Sequence, residues 1–217
     1  FVKKANKFSF ELHRILNMQN ILNTRAVPLN NRYPQSQTDS LLNKYLPGTA
    51  EQIAQACSGP TELIAYDVRQ ALNAGLTVQA TQQLLSLLNS RPVSDQTYTR
   101  HVLHADPEGR FAVAALVWGA SHASPVHAHH TWCAYRVVMG ELSESHYEWD
   151  PDQNKAYLFN KVKRSAGQSV CGNAGLELIH RLSNDSMQRA MSIHVYGVDA
   201  ESLSTHVNHV LPWSEKM

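Results

Sequence analysis

The chain has 217 residues, 43% of them hydrophobic and 17% charged, with 19 Lys and Arg against 18 Asp and Glu for a formal net charge of +1. That length buries one sizeable core but is short for two independent enzyme domains, so a single domain is expected. A near-neutral balance without blocks of like charge excludes an electrostatic footprint for nucleic acid or an anionic membrane, and the longest apolar run, Phe111 to Trp118, falls far short of the roughly 20 residues that span a bilayer. The expected partner is a small molecule.

Cys57, Cys133 and Cys171 are odd in number, widely spaced and without a C-x-x-C pair. They argue against a disulfide framework and a thiolate zinc site, and point to a reducing, cytoplasmic setting. Residues 1–37 read as an N-terminal extension, expected to be poorly ordered. Its first stretch, "FVKKANKFSFELHRILNMQN", is too interrupted by polar residues for a signal peptide, and the 17 residues before Met18 are compatible with an upstream extension. From 38 to 90 apolar residues recur at helical spacing: Leu41, Leu42 and Tyr45, then Ile53, Ala54 and Cys57, then Leu63, Ile64, Val68 and Leu72, then Leu84, Leu85, Leu87 and Leu88. Thr49 followed by Gln52 predicts a capping box, Pro60 and Thr61 the start of a further helix, and Gly75 its end. Three or four short helices fit.

Past "NSRPVSDQ" the texture changes. Over 96–200, β-branched and aromatic runs such as "YTRHVLH", "FAVAALVW" and "TWCAYRVVM" alternate with the turn signals "ADPEG", "MGE", "WDPDQN" and "GNAG". No helix-length periodicity interleaves with them, which predicts a mainly β fold: an antiparallel β-barrel or double-sheet jelly roll preceded by a short-helix segment. Residues 38–217 form the one domain, with 201–217 as a surface tail.

Within "SPVHAHHTWCAYRVVMGELSESHYEW", strand alternation sends the side chains of His127 and His129 to one face and that of His130 to the other. Two imidazoles bind a metal ion weakly, so a third ligand is required; His180, in "LELIHRLSN", is the best candidate. Ser192, His194 and Tyr196 follow at i, i+2 and i+4 of one strand and can form a hydrogen-bond relay. A purely structural histidine pair and a solvated strand face are the competing readings. His101, His104, His122, His130 and His146 read as loop or surface residues, and His206 and His209 as part of the surface tail. Trp118, Trp132 and Trp149 read as core or rim aromatics.

An H-x-H strand, Gly140 and Glu141 after it, and a later strand histidine resemble the two motifs of the cupins. Within that group the series "YTR", "FAVAALVWG", "SPVHAHHTWC", "IHRLSN" and "SIHVYG", from Tyr98 to about Val198, looks like the thiol dioxygenases of the cysteine dioxygenase type. The resemblance implies a cupin-type antiparallel β-barrel with His127, His129 and His180 as neutral ligands of one Fe(II). It makes Tyr196 the active-site tyrosine, supported by His194 and Ser192, and matches Cys133 to a cysteine that some members join to it through sulfur. Arg100 matches the arginine that holds the substrate carboxylate, with Tyr98 beside it. The implied reaction adds both atoms of O2 to a small thiol, L-cysteine to cysteine sulfinic acid, with 3-mercaptopropionate or another mercapto acid as the alternative; a monomer is expected.

Two departures accompany the match. The loop from His129 to Cys133 is one residue shorter than in the animal-type enzymes, and Ala128 stands where Asp is common, removing a contact behind the ligands. No carboxylate follows the H-x-H in "HTWCA", so the ion would keep its full charge and favour a thiolate. Two readings of other classes share these residues: a three-histidine zinc hydrolase and a non-enzymatic ligand-binding cupin.

Overall fold

The computed structural model describes residues 40–215. The expected N-terminal extension 1–37 and Met18 lie outside the described residues. Four short helices come first: α1 (Leu41–Tyr45), α2 (Thr49–Ala56), α3 (Ile64–Gly75) and α4 (Val78–Asn89). Isolated helices this short are marginal in water, so their order comes from their buried faces. Leu42, Ile53, Val68, Leu72, Leu84 and Leu88 are almost fully buried. They form one core with Leu103, Phe111, Val113, Ala115, Val117, Ile193 and Val195 of the sheet beneath, each large aliphatic side chain contributing roughly 1.5–3 kcal/mol.

Two helix starts differ from the sequence expectation. Gly48, in the left-handed region at φ 77°, is the N-cap of α2, so Thr49 is already helical and forms no capping box. Its side chain turns inward against Gly75, where a Cβ would collide with it. Helix α3 begins at Ile64 rather than Pro60–Thr61, which form a turn, and ends at Gly75 as expected.

Eleven strands follow among the described residues: β1 (Thr99–Ala105), β2 (Ala112–Trp118), β3 (His127–His129), β4 (Cys133–Met139), β5 (Glu141–Asp150), β6 (Lys155–Ser165), β7 (Ser169–Gly172), β8 (Gly175–Ser183), β9 (Ala190–Tyr196), β10 (Asn208–Val210) and β11 (Trp213–Ser214). They make two sheets, ordered β1-β2-β9-β4-β7 and β10-β3-β8-β5-β6-β11. All pairings are antiparallel except β11 alongside β6. The fold is a cupin-type double-sheet barrel behind a helical segment.

Strand β2 is buried along its whole length because its sheet is covered on both faces. Val113, Ala115 and Val117 meet the helices, while Ala112, Ala114, Leu116 and Trp118 point into the barrel. That two-sided cover also explains why several histidines are not on the surface. His101, His104 and His122 are buried and His146 is half-buried; His101 and His104 lie on β1, with His104 stacked on Phe111 and bonded to Ser40. The tail is likewise more than a surface segment. After a 3-10 turn at Ala200–Ser204, β10 pairs with β3 and β11 with β6, although the side chains of His206 and His209 stay exposed.

Candidate metal centre

Strand β3 is only three residues long, yet both of its neighbours hold it: β10 on one side and β8 on the other, with His127 opposite His180. His127 and His129 point into the barrel, and Ala128 packs outside with Val126, Ile179 and Leu211. His130 faces away and stacks on His209, ring centroids 5.0 Å apart. The rings of His127, His129 and His180 lie 4.8–5.0 Å from one another, and one ligand atom of each falls within 4.8 Å of the others. All three residues are buried.

Each ring is held differently. His127 Nδ1 lies 3.0 Å from the Pro125 carbonyl, and His180 Nδ1 2.8 Å from Glu144 Oε1. Since a carbonyl and an ionised carboxylate only accept, both rings carry a proton on Nδ1, which leaves Nε2 as the nitrogen available for a ligand bond. His129 Nδ1 is buried without a partner, and its Nε2 lies 3.5 Å from Cys133 Sγ. Burial, reinforced by the neighbouring imidazoles, pushes His127 down to about 3 and His129 well below the usual range. Buried neutral imidazoles with converging lone pairs are the donor set that a transition metal takes.

Glu144 was not singled out in the sequence, and it alters one expectation. Its side chain is fully buried and reaches Arg164 Nε at 2.7 Å and His146 Nε2 at 3.3 Å as well as His180. Burial alone would raise its pKa, but the bonds from His146, His180 and Arg164 hold the carboxyl well below the usual range. The candidate centre therefore does have a carboxylate, placed behind His180 and not among the three facing imidazoles. Leu142, Glu144 and His146 share the i, i+2, i+4 spacing that flagged Ser192, His194 and Tyr196, and that was the available signal.

Across the barrel, β9 carries the expected row. His194 Nε2 lies 2.8 Å from Ser192 Oγ and its Nδ1 3.1 Å from the Tyr196 hydroxyl, while Trp118 Nε1 donates to Ser192 Oγ at 3.0 Å. Tyr135, also missed, stacks on His194 with centroids 5.0 Å apart, and its buried hydroxyl lies beside Glu144 and Arg164. Cys133 sits directly opposite Tyr196 in the β4–β9 register. Burial pushes its thiol up to about 12 and also raises the Tyr196 phenol. Tyr98 stacks on Trp118 at 4.3 Å. With Ser192 set behind His194, the other groups and the three histidines surround a cavity of about 20 Å³, room for about one water molecule.

Arg100 lies behind Tyr196 and not on the cavity wall. Its Cζ is 5.7 Å from the Tyr196 ring centroid, and its Nη1 donates to the Leu203 carbonyl at 2.6 Å. Its Nε is buried and unpaired. Among the described residues no carboxylate lies within ion-pair distance of this buried guanidinium.

A cupin barrel with three buried imidazoles from two strands facing a Ser-His-Tyr row defines a protein with a site suited to a metal ion. Residues 76–204, more than half of the chain, match the family model described as cysteine dioxygenase type I, and the chain belongs to that family. It is 28% identical over 132 residues to cysteine dioxygenase type 1 of Rattus norvegicus, covering 56% of this chain and 65% of that protein. The corresponding Homo sapiens protein is 27% identical over the same shares, and that of Danio rerio 29% identical over 146 residues, covering 60% and 70%. The match thus spans just under two thirds of the mammalian relatives' length.

Proposed function

We propose that the protein is an Fe(II)-dependent thiol dioxygenase, converting RSH and O2 to the sulfinic acid RSO2H. L-Cysteine is the proposed substrate, and 3-mercaptopropionate the close alternative. The observation that carries this reading is the pairing of three buried histidines with a buried guanidinium that lacks an anionic partner among the described residues. Held by His127, His129 and His180, Fe(II) would supply the redox chemistry and stabilise the thiolate form of the substrate.

The chain's own residues position and enclose. Arg100 is fixed at Nη1 by Leu203 and set behind Tyr196, to which it is hydrogen-bonded; as the buried positive charge on that side of the site it would orient the substrate carboxylate and so set where the sulfur lands. Trp118 Nε1 can only donate, so Ser192 Oγ accepts that bond and its own proton goes to His194 Nε2. The imidazole then carries its proton on Nδ1 and donates it to the Tyr196 oxygen. Tyr196 keeps its hydroxyl proton free for a substrate oxygen, a donor fixed in place before the reaction. Leu116, Leu182 and Trp118 keep bulk water out of the small cavity. Cys133 stands where a sulfur–tyrosine link to Tyr196 would form; a mass spectrum of the joined peptides, lighter by two hydrogens passed to O2, tests that link.

The zinc-hydrolase reading needs a base for a water molecule. His194 is engaged at both nitrogens and the Tyr196 phenol is raised by burial, so neither fills that role. The test is O2 uptake by protein loaded anaerobically with Fe(II), measured with L-cysteine, 3-mercaptopropionate and cysteamine. One O2 consumed per sulfinate formed is the expected result, with no uptake by Zn(II)-loaded protein; absence of thiol-dependent uptake with all three substrates refutes the proposal.

A further inference from the structure

We infer that Glu144 is the positioning residue that makes His180 a metal ligand, by holding the imidazole proton on Nδ1, and that Arg164 fixes which way the Glu144 carboxylate is used. The inference rests on the proposed metal site and concerns how the protein prepares it. Its basis is the three-way arrangement of a fully buried carboxylate: Oε1 on His180 Nδ1 at 2.8 Å, and Oε2 on Arg164 Nε at 2.7 Å with His146 Nε2 at 3.3 Å.

Packing alone does not call for an ion here. Leu142, two residues earlier, fills the adjoining part of the core with an apolar side chain, and a fully buried charge carries a desolvation penalty of several kcal/mol. What the carboxylate supplies is two acceptor oxygens and no donor. One faces a guanidinium that can only donate. The other can only accept, so His180 must carry a proton on Nδ1, and when the ring takes a metal ion its lone pair is the one on Nε2. The Pro125 carbonyl does the same for His127, and nothing does it for His129. A carboxylate behind a ligating imidazole also raises the ligand's basicity, so His180 is the strongest donor of the three.

Glu144→Gln gives the arrangement a sharp test, because the amide has one acceptor and one donor end. Arg164 can use only the acceptor, and that charge-assisted bond is the stronger of the two available. The amide NH2 then faces His180 Nδ1 and drives the imidazole proton to Nε2, where the ion would bind. Replacing Arg164 as well, in the pair Glu144→Gln with Arg164→Leu, frees the amide oxygen to turn back to His180. A residue that served only to pair β5 with β6 would predict no such rescue.

The experiment is nitrogen-15 NMR of histidine tautomers in the metal-free full chain, alongside anaerobic Fe(II) competition against a chromogenic chelator. The expected results are an Nδ1–H His180 in the wild type, Nε2–H in Glu144→Gln with Fe(II) bound about 10–100-fold more weakly, and recovery of both in the double variant. A folded Glu144→Gln with the wild-type tautomer and Fe(II) affinity within about threefold of wild type, taking ~10-fold as the smallest effect expected, overturns the inference. So does an Nε2–H His180 in the wild type, which is decisive even where the variant does not fold. Wild-type protein that binds Fe(II) no better than His127→Ala refutes the metal reading instead, and the tautomer still decides the role of Glu144.

Discussion

Replacing Arg100 with Gln tests the substrate end of the site. The guanidinium is buried, has no carboxylate partner among the described residues and gives one donor to Leu203, so a substrate carboxylate is the charge it can meet. Among the described residues no Lys or Arg lines the cavity, so Arg100 behind Tyr196 is the nearby cation. Two charge-assisted bonds at about 1.5–3 kcal/mol each, replaced by one neutral bond at about 1, lose roughly 2–5 kcal/mol. That corresponds to a fall of about 30- to 5,000-fold in kcat/KM for L-cysteine, carried mainly by KM. Cysteamine, which lacks the carboxylate, should lose less than about fivefold, since ~1 kcal/mol of indirect loss amounts to that. The variant also leaves the Leu203 carbonyl short of its donor, a cost of about 1–3 kcal/mol that a thermal melt would read as a drop of roughly 2–12 °C. Steady-state O2 uptake with both thiols, on protein matched for iron content, makes the comparison. Equal losses on cysteine and cysteamine would refute the carboxylate role.

Three further outcomes follow from the same geometry. Trp118→Phe removes the donor that orients Ser192, so kcat should fall about three- to tenfold for the loss of roughly 1 kcal/mol of hydrogen bonding, with KM little changed; an unchanged kcat would mean that the row is not directed from Trp118. Burial lowers the pKa of His101 and His104, so the unfolded chain takes up protons near pH 6.5 that the folded chain refuses. Stability is therefore full above about pH 6.5 and declines as the pH falls below it; melting curves from pH 7.5 to 5 should show this decline, and His101→Leu should make it shallower. Gly140 turns β4 into β5 at φ 71°, and a Cβ there would lie 3.0 Å from the Arg189 carbonyl oxygen and 3.1 Å from Ala190 Cα. Gly140→Ala should cost at least ~1–2 kcal/mol and lower Tm by roughly 2–8 °C, and a melt within 1 °C of wild type, under the ~2 °C expected, would contradict that.

Strand alternation made much of this site legible in the sequence. The period of two fixes that His127 and His129 share a face and that Ser192, His194 and Tyr196 share another, and the structure brings His127, His129, His194 and Tyr196 to one cavity with Ser192 bonded behind His194. Which partner each side chain finds across the sheets is set by register, and a single strand does not reveal register. Glu144 became visible only once β5 lay beside β8, placing its carboxylate at His180. His101 and His104 looked like surface residues because polar character predicts exposure, whereas their strand is covered on both sides. The strand character of the tail was hidden for a related reason: β10 has three residues and β11 two, too few for a period, and each forms only against a barrel wall already in place.

The claim at the centre of this account is that His127, His129 and His180 share one iron. Anomalous diffraction at the iron edge from crystals of Fe(II)-loaded protein tests it most directly. A single peak within roughly 2.0–2.2 Å of a nitrogen of each ring, the usual metal–imidazole distance, is the predicted result. A peak elsewhere, or a map empty between the three rings in protein that has taken up iron, would contradict it.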